Sequence, residues 1–195
     1  MMVLQTLMET ERDASSRTDE RSDLELIAAV NGGDADAFGA LYFRHRDWVA
    51  NLAFRFTGDH HLALDVTQET FLYFLKKFPG FQLTANLKTF LYPAVKNLSF
   101  TARRKAVRLQ SAEEDLDLLE APAASPEGDS EELAAVLAGL SEERREVLLL
   151  RFVDGLALGE IAEALEVPLG TVKSRLHYAL DTLREDPRTR EFFAP

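Results

Sequence analysis

Between residues 109 and 135 the chain carries nine acids and not one lysine or arginine. Unbalanced charge at that density cannot be buried in a core. The same stretch, LQSAEEDLDLLEAPAASPEGDS, adds Ala, Pro, Ser and Gly, the composition of a solvated connector. Two small folded units on either side of it are therefore expected. The division reads as an extension over 1–22 with a disordered composition, a first domain over 23–108, a linker over 109–130, a second domain over 131–186 and a tail over 187–195. Fully extended, such a linker spans on the order of 70 Å. That reach covers DNA contacts two helical turns apart, at about 34 Å per turn.

The formal net charge is −11, which sets the chain against a polyanionic ligand until the charge is divided by segment. Residues 1–25 hold seven acids and three arginines, whereas 26–108 hold eleven bases and six acids, and 136–195 eight bases and eleven acids. Most of the acidity thus belongs to the linker and the N-terminal extension. The absence of cysteine excludes disulfides, thiolate metal sites and a thiol nucleophile, and suits a reducing compartment. No apolar run approaches the roughly 18 residues of a membrane helix, and the N-terminus lacks the pattern of a signal peptide. A soluble, cytoplasmic protein without membrane contact is expected. The four histidines, His45, His60, His61 and His177, form no helical metal pattern, and no glycine-rich phosphate loop is present. An enzyme, a bound metal or a cofactor is not expected.

Helical periodicity runs through almost every segment, so the fold class reads as all-α. Asp23 is expected to cap a helix ending at Val30, and Asp34 the next, which Gly58 stops. A third helix is expected over about 61–78, closed by Pro79-Gly80, and a fourth over about 85–108 with Pro93 in its interior. Beyond the linker, Ser130 and Ser141 stand before Glu-Glu pairs as helix caps do, predicting helices over about 131–138 and 142–153.

The stretch LALGEIAEALEVPLGTVKSRLHYAL has the pattern of a helix-turn-helix. Ile161 and Leu165 face inward on its first helix and Val172 and Leu176 on its second, with Ala162 at the crossing. Pro168 separates the two helices. The second would expose Lys173, Ser174, His177 and Tyr178 to base edges, while Thr171 and Arg175 suit phosphates. Glu166 occupies a turn position where Gly is usual, because a non-Gly residue at positive φ is uncommon.

The words GTVKSRLH and, upstream, TQETFLYFLKKF resemble the extracytoplasmic-function sigma factors, two-domain initiation factors of bacterial RNA polymerase. The resemblance spans about 23–108 (region 2) and 131–186 (region 4). It implies that the helix holding DVTQETF docks on the clamp helices of core polymerase through Asp65, Gln68 and Glu69. It implies that the loop after Phe78 and the helix KTFLYPAVKN melt the minus-ten element and capture a flipped base between Phe81 and Asn97. A base out of the stack needs an aromatic surface and an amide to read its edge. Lys96, Arg103, Arg104 and Lys105 would meet the backbone there. Region 4 would read the minus-thirty-five element and meet the polymerase flap, and an anti-sigma factor is an expected partner.

The chain departs from that pattern before Gln68, where the family commonly has a run like DAED and this chain has Leu62, Ala63, Leu64 and Asp65, so that Leu62 and Leu64 stand in place of acids. Lower core affinity is expected. Because a phosphate adds about −1.5 to −2 charges, Thr67 becomes a candidate phosphorylation site for a Ser/Thr kinase that would restore it. Pro93 and the recognition helix ending YALDTLRED are further departures. A polymerase-independent helix-turn-helix regulator binding as a dimer, and a sigma-like adaptor that opens no promoter, remain as alternatives.

Overall fold

The computed structural model describes residues 19–113 and 135–189, with side chains omitted over 110–113, and all regular structure in it is helical. The chain divides into two compact units at Leu109/Gln110.

Unit 1 is built from four helices, α1 (Asp23–Asn31), α2 (Ala35–Thr57), α3 (His60–Leu75) and α4 (Leu87–Glu113). The cap of α1 is Ser22, one residue earlier than expected. Ser22 Oγ accepts the Glu25 amide at 3.3 Å while the Glu25 carboxylate accepts the Ser22 amide at 2.7 Å. This leaves the Asp23 carboxylate for tertiary work. It receives Arg44 at 2.7 Å and faces His45 Nε2 at 2.9 Å, tying α1 to α2. Asp34 caps α2 as expected, accepting the Ala37 amide at 3.1 Å, and Gly58 closes it at φ 69°. Asp59 caps α3 through the Leu62 amide at 2.9 Å.

Helix α3 ends at Leu75, short of the expected Phe78, and its last turn tightens as the Lys77 and Phe78 amides donate to the Phe74 and Leu75 carbonyls at 3.0 and 3.1 Å. The reversal continues through Gly80 at φ 101°. Helix α4 starts where Asn86 Oδ1 accepts the Lys88 amide at 2.9 Å, runs through Pro93 and continues to Glu113, into the first part of the expected linker. The remainder of that linker, with Ser130, and the extension over 1–18 lie outside the described residues.

The core of unit 1 gathers Leu26, Leu41, Leu52, Val66, Leu91 and Tyr92 around a run of aromatic rings. Phe74, fully buried, meets Phe38, Phe78, Phe81 and Phe90 at centroid separations of 5.2 to 5.8 Å, distances at which edge and tilted contacts are favourable.

Unit 2 contains a helical turn over 135–139, then α5 (Glu142–Phe152), α6 (Leu158–Ala164) and α7 (Leu169–Glu185). Val136, Leu140, Leu148, Ala179 and Leu183 form one end of its core. Leu156, Ile161 and Val172 are also without solvent exposure. Ser141 stands at the N-terminus of α5 without a side-chain capping bond. The Thr189 hydroxyl donates to the Leu183 carbonyl and closes the described part of the tail.

Partial burial works to raise the Asp23 pKa, but the hydrogen bonds from His45 and Arg44 outweigh it and hold the group below the ordinary 3.8. A carboxyl with a depressed folded pKa contributes stability that is complete above its unfolded value and is lost as pH falls through the folded one. Asp23→Asn is expected to lower the unfolding free energy at pH 7 by about 1–3 kcal/mol. Urea titrations across pH should show its deficit against wild type narrowing only below about pH 3.8.

Candidate nucleic-acid and protein interface

Helix α3 buries Ala63, Val66, Thr70, Phe71 and Phe74. The 3.6-residue period then turns Asp65, Gln68 and Glu69 outward, and all three are exposed. Leu64, 58% exposed, and Leu72 lie among them, so the face is mixed apolar and acidic. His60, the first residue of α3, stacks on Phe54 with centroids 4.2 Å apart.

Thr67 does not share that face. It is 5% exposed, and its hydroxyl donates to the Ala63 carbonyl at 2.7 Å. Its place four residues after Ala63 and four before Phe71, both buried, puts it on the inner face. A kinase has no access to this hydroxyl in the folded unit, so the expected phosphorylation switch is corrected here.

Phe81 is half-buried against Phe90 at 4.7 Å, Phe74 at 5.2 Å and Phe78 at 5.6 Å. Asn97 is exposed, seven residues after Phe90 on α4. That spacing sets the two on one face, about 10 Å apart along the axis. Lys96 beside it is half-buried. Farther along α4, Arg103, Arg104 and Lys105 are exposed. Arg103 also donates to the Phe56 carbonyl at 3.2 Å, near the C-terminus of α2, where a cation is favoured.

In unit 2 the first helix of the pair ends in a turn that places Glu166 at φ 53°. The Val167 amide reaches the Ala162 carbonyl at 3.0 Å and the Glu166 amide the Glu163 carbonyl at 3.2 Å. These two bonds satisfy the carbonyls that a helix end would leave orphaned, which offsets the cost of a non-Gly residue in the left-handed region. Pro168 then precedes α7.

Along α7, Val172 and Ala179 are buried, and Lys173, Ser174, His177 and Tyr178 are exposed together on the opposite side. Thr171 and Arg175 are half-buried at its flank, as is the expected inward residue Leu176. Several of these side chains already have partners. His177 Nε2 lies 3.2 Å from Asp181, and the Arg144 guanidinium sits 5.2 Å from the centre of the Tyr178 ring. Glu143 has its carboxyl held below the usual range by a backbone amide and the Ser141 hydroxyl, with the charges of Arg175 and Arg144 adding to the effect. The N-terminus of α5 therefore borders the exposed face of α7. Arg144 had no signal in the sequence, since it joins this surface only through the fold.

Among the described residues no cluster of His, Asp or Glu could hold a metal ion, and no helix is long and apolar enough to cross a membrane.

Family models match both units: "Sigma-70 region 2" over residues 41–109 and "Sigma-70, region 4" over residues 136–185. The ECF RNA polymerase sigma factor SigE of Mycolicibacterium smegmatis is 32% identical over 185 residues, covering 90% of this chain and 72% of that protein. The ECF RNA polymerase sigma factor SigW of Bacillus subtilis is 29% identical over 184 residues, covering 83% and 95%. Among solved structures, CnrH in complex with the cytosolic domain of CnrY aligns at TM-score 0.60 and 25% identity, over 82% of this chain and 93% of that one. RpoE from Bartonella quintana, in complex with the anti-sigma factor NepR, aligns at 0.56 and 24%, over 76% and 94%, a likeness of fold.

The position of Thr67 predicts how a charge there behaves. Thr67→Glu buries a carboxylate without a partner and is expected to destabilise unit 1 by about 3 kcal/mol or more. Thermal unfolding checks this; a wild-type melting temperature combined with tighter binding to core polymerase would reinstate the switch.

Proposed function

Because the chain belongs to the extracytoplasmic-function sigma factors of the sigma-70 family, we propose that α3 docks it on core RNA polymerase while α4 and α7 engage the promoter. The chain is a non-enzymatic factor of transcription initiation that binds core polymerase and promoter DNA. The observation that carries the residue-level reading is that one chain presents the mixed face of α3 and the polar face of α7, in that order. A regulator acting without polymerase has use for the second face only.

In this reading Asp65, Gln68 and Glu69 meet the clamp helices, with Leu64 and Leu72 adding apolar contact. Phe81 offers the ring on which a flipped minus-ten base stacks, and Asn97 the amide that reads it. Lys96, Arg103, Arg104 and Lys105 hold the adjoining phosphates. Lys173, Ser174, His177 and Tyr178 face base edges of the minus-thirty-five element, Thr171 and Arg175 its backbone, and unit 2 also meets the polymerase flap. The stretch expected as linker joins the two domains. An anti-sigma factor is a fitting partner, since RpoE is seen with one. The cytoplasm is the compartment this activity implies.

Transcription by purified protein and bacterial core polymerase on a randomised promoter library tests the reading. Transcripts sharing a two-part upstream motif are expected; binding to core without transcripts would point to an adaptor. Glu69→Ala is expected to weaken core binding by about 1–2 kcal/mol, read by fluorescence titration of labelled protein into core enzyme.

Within the assembled holoenzyme, Lys173→Ala should relax preference at one base pair of the upstream element and cost about 1–3 kcal/mol. Arg175→Ala should instead weaken all promoters alike and reduce the salt slope of binding by about 1. Anisotropy titrations at several salt concentrations separate the two patterns, and a shared pattern would reject the assignment of base against phosphate contact.

A further inference from the structure

We infer that Asn31 is a positioning residue for base capture, because its carboxamide bridges the two backbone groups that set the loop carrying Phe81. The inference rests on the reading of Phe81 and Asn97 as the captured base's surroundings. Asn31 Oδ1 accepts the Gly80 amide at 2.6 Å, and Nδ2 donates to the Phe81 carbonyl at 2.8 Å.

The Phe81 ring is held by contacts with Phe74, Phe78 and Phe90. Such contacts favour burial without fixing one orientation, since tilted and edge geometries differ little in energy. Hydrogen bonds to the backbone are directional and supply what the rings do not. They are needed most at Gly80, which sits at φ 101° on an exposed reversal next to Pro79. Glycine reaches that conformation easily and leaves it as easily.

Asn31 is suited to the task on three counts. It is the last residue of α1, whose Leu26 and Ile27 are buried, so the anchor stands on a packed element. Its carboxamide carries an acceptor and a donor together, as bridging an N–H and a C=O requires. It is half-buried, where a hydrogen bond competes with less water than on an open surface. The bridge joins positions 49 and 50 residues apart in sequence, so no local turn can replace it. The loop is thereby set before DNA arrives, and the ordering cost is removed from the capture step.

The test uses full-length protein assembled with core polymerase and a pool of single-stranded DNA 12-mers of random sequence, sequencing the bound fraction. Wild type is expected to select one base strongly at the captured position. Asn31→Ala and Asn31→Asp should both bind core enzyme with wild-type affinity and lose selection at that position alone. Asn31→Asp is isosteric and keeps the acceptor for Gly80 while losing the donor to Phe81, so it tests the bridge even where the alanine variant folds poorly. If the bridge holds the loop ready and its loss leaves about a tenth of molecules competent, affinity for the selected sequence falls about tenfold.

Two results would overturn the inference. One is wild-type selection in both Asn31 variants while Phe81→Ala loses it. The other is a fall in core affinity and melting temperature with selection among bound complexes intact, which makes Asn31 a stabilising residue only. If Phe81→Ala and Asn97→Ala also keep wild-type selection, the base-capture reading itself fails and takes the role of Asn31 with it.

Discussion

The burial of Phe74 fixes both surfaces proposed to do the work of unit 1. Its ring has no solvent exposure and touches Phe38, Phe78, Phe81 and Phe90, so α3 has one rotation about its axis that satisfies the core. At about 100° per residue, a position nine residues earlier lies on the opposite side of the helix. That position is Asp65. The same ring packs against Phe81, so the face proposed to meet polymerase and the aromatic surface proposed to meet DNA share a single packing constraint. A change that loosens Phe74 must disturb both, whereas changes at Glu69 or Asn97 disturb one.

Much of this was legible in the sequence because it follows from local rules. Helical period, Asp34 as a cap and Gly58 as a stop depend on neighbours within a few residues, and the structure reproduces them. The helix-turn-helix was equally readable from Ile161, Val172 and Pro168. Glu166 looked unfavourable only because the bonds from Val167 and Glu166 to the preceding helix are not written in residue type.

The failures have the same physical character. Asp23 was read as a cap, but Ser22 and Glu25 satisfy that end reciprocally, and Arg44 and His45 claim the Asp23 carboxylate from another helix. Thr67 was read as part of the docking face, where a phosphate would make up for the missing acids. Helical neighbours along the chain point about 100° apart, and the buried Ala63 and Phe71, four residues to either side, are better guides to its direction. Arg144 and Asn31 act on partners 34 and 49 to 50 residues away. Only the fold brings those groups together.

The electrostatics of α7 explain how an acidic chain serves DNA. His177 stands beside Asp181, and Glu143 lies within the field of Arg175, so acidic groups border the exposed face of α7 at close range. Counterion release, which scales with the number of phosphates neutralised, is then small for unit 2 alone. The basic stretch of α4 is likewise short. Two weak contacts on one covalently joined molecule gain from effective concentration. Polymerase that holds both units against one promoter converts that gain into affinity. Under the proposed assignments, weak contacts by the free factor leave promoter selection to its assembly with polymerase.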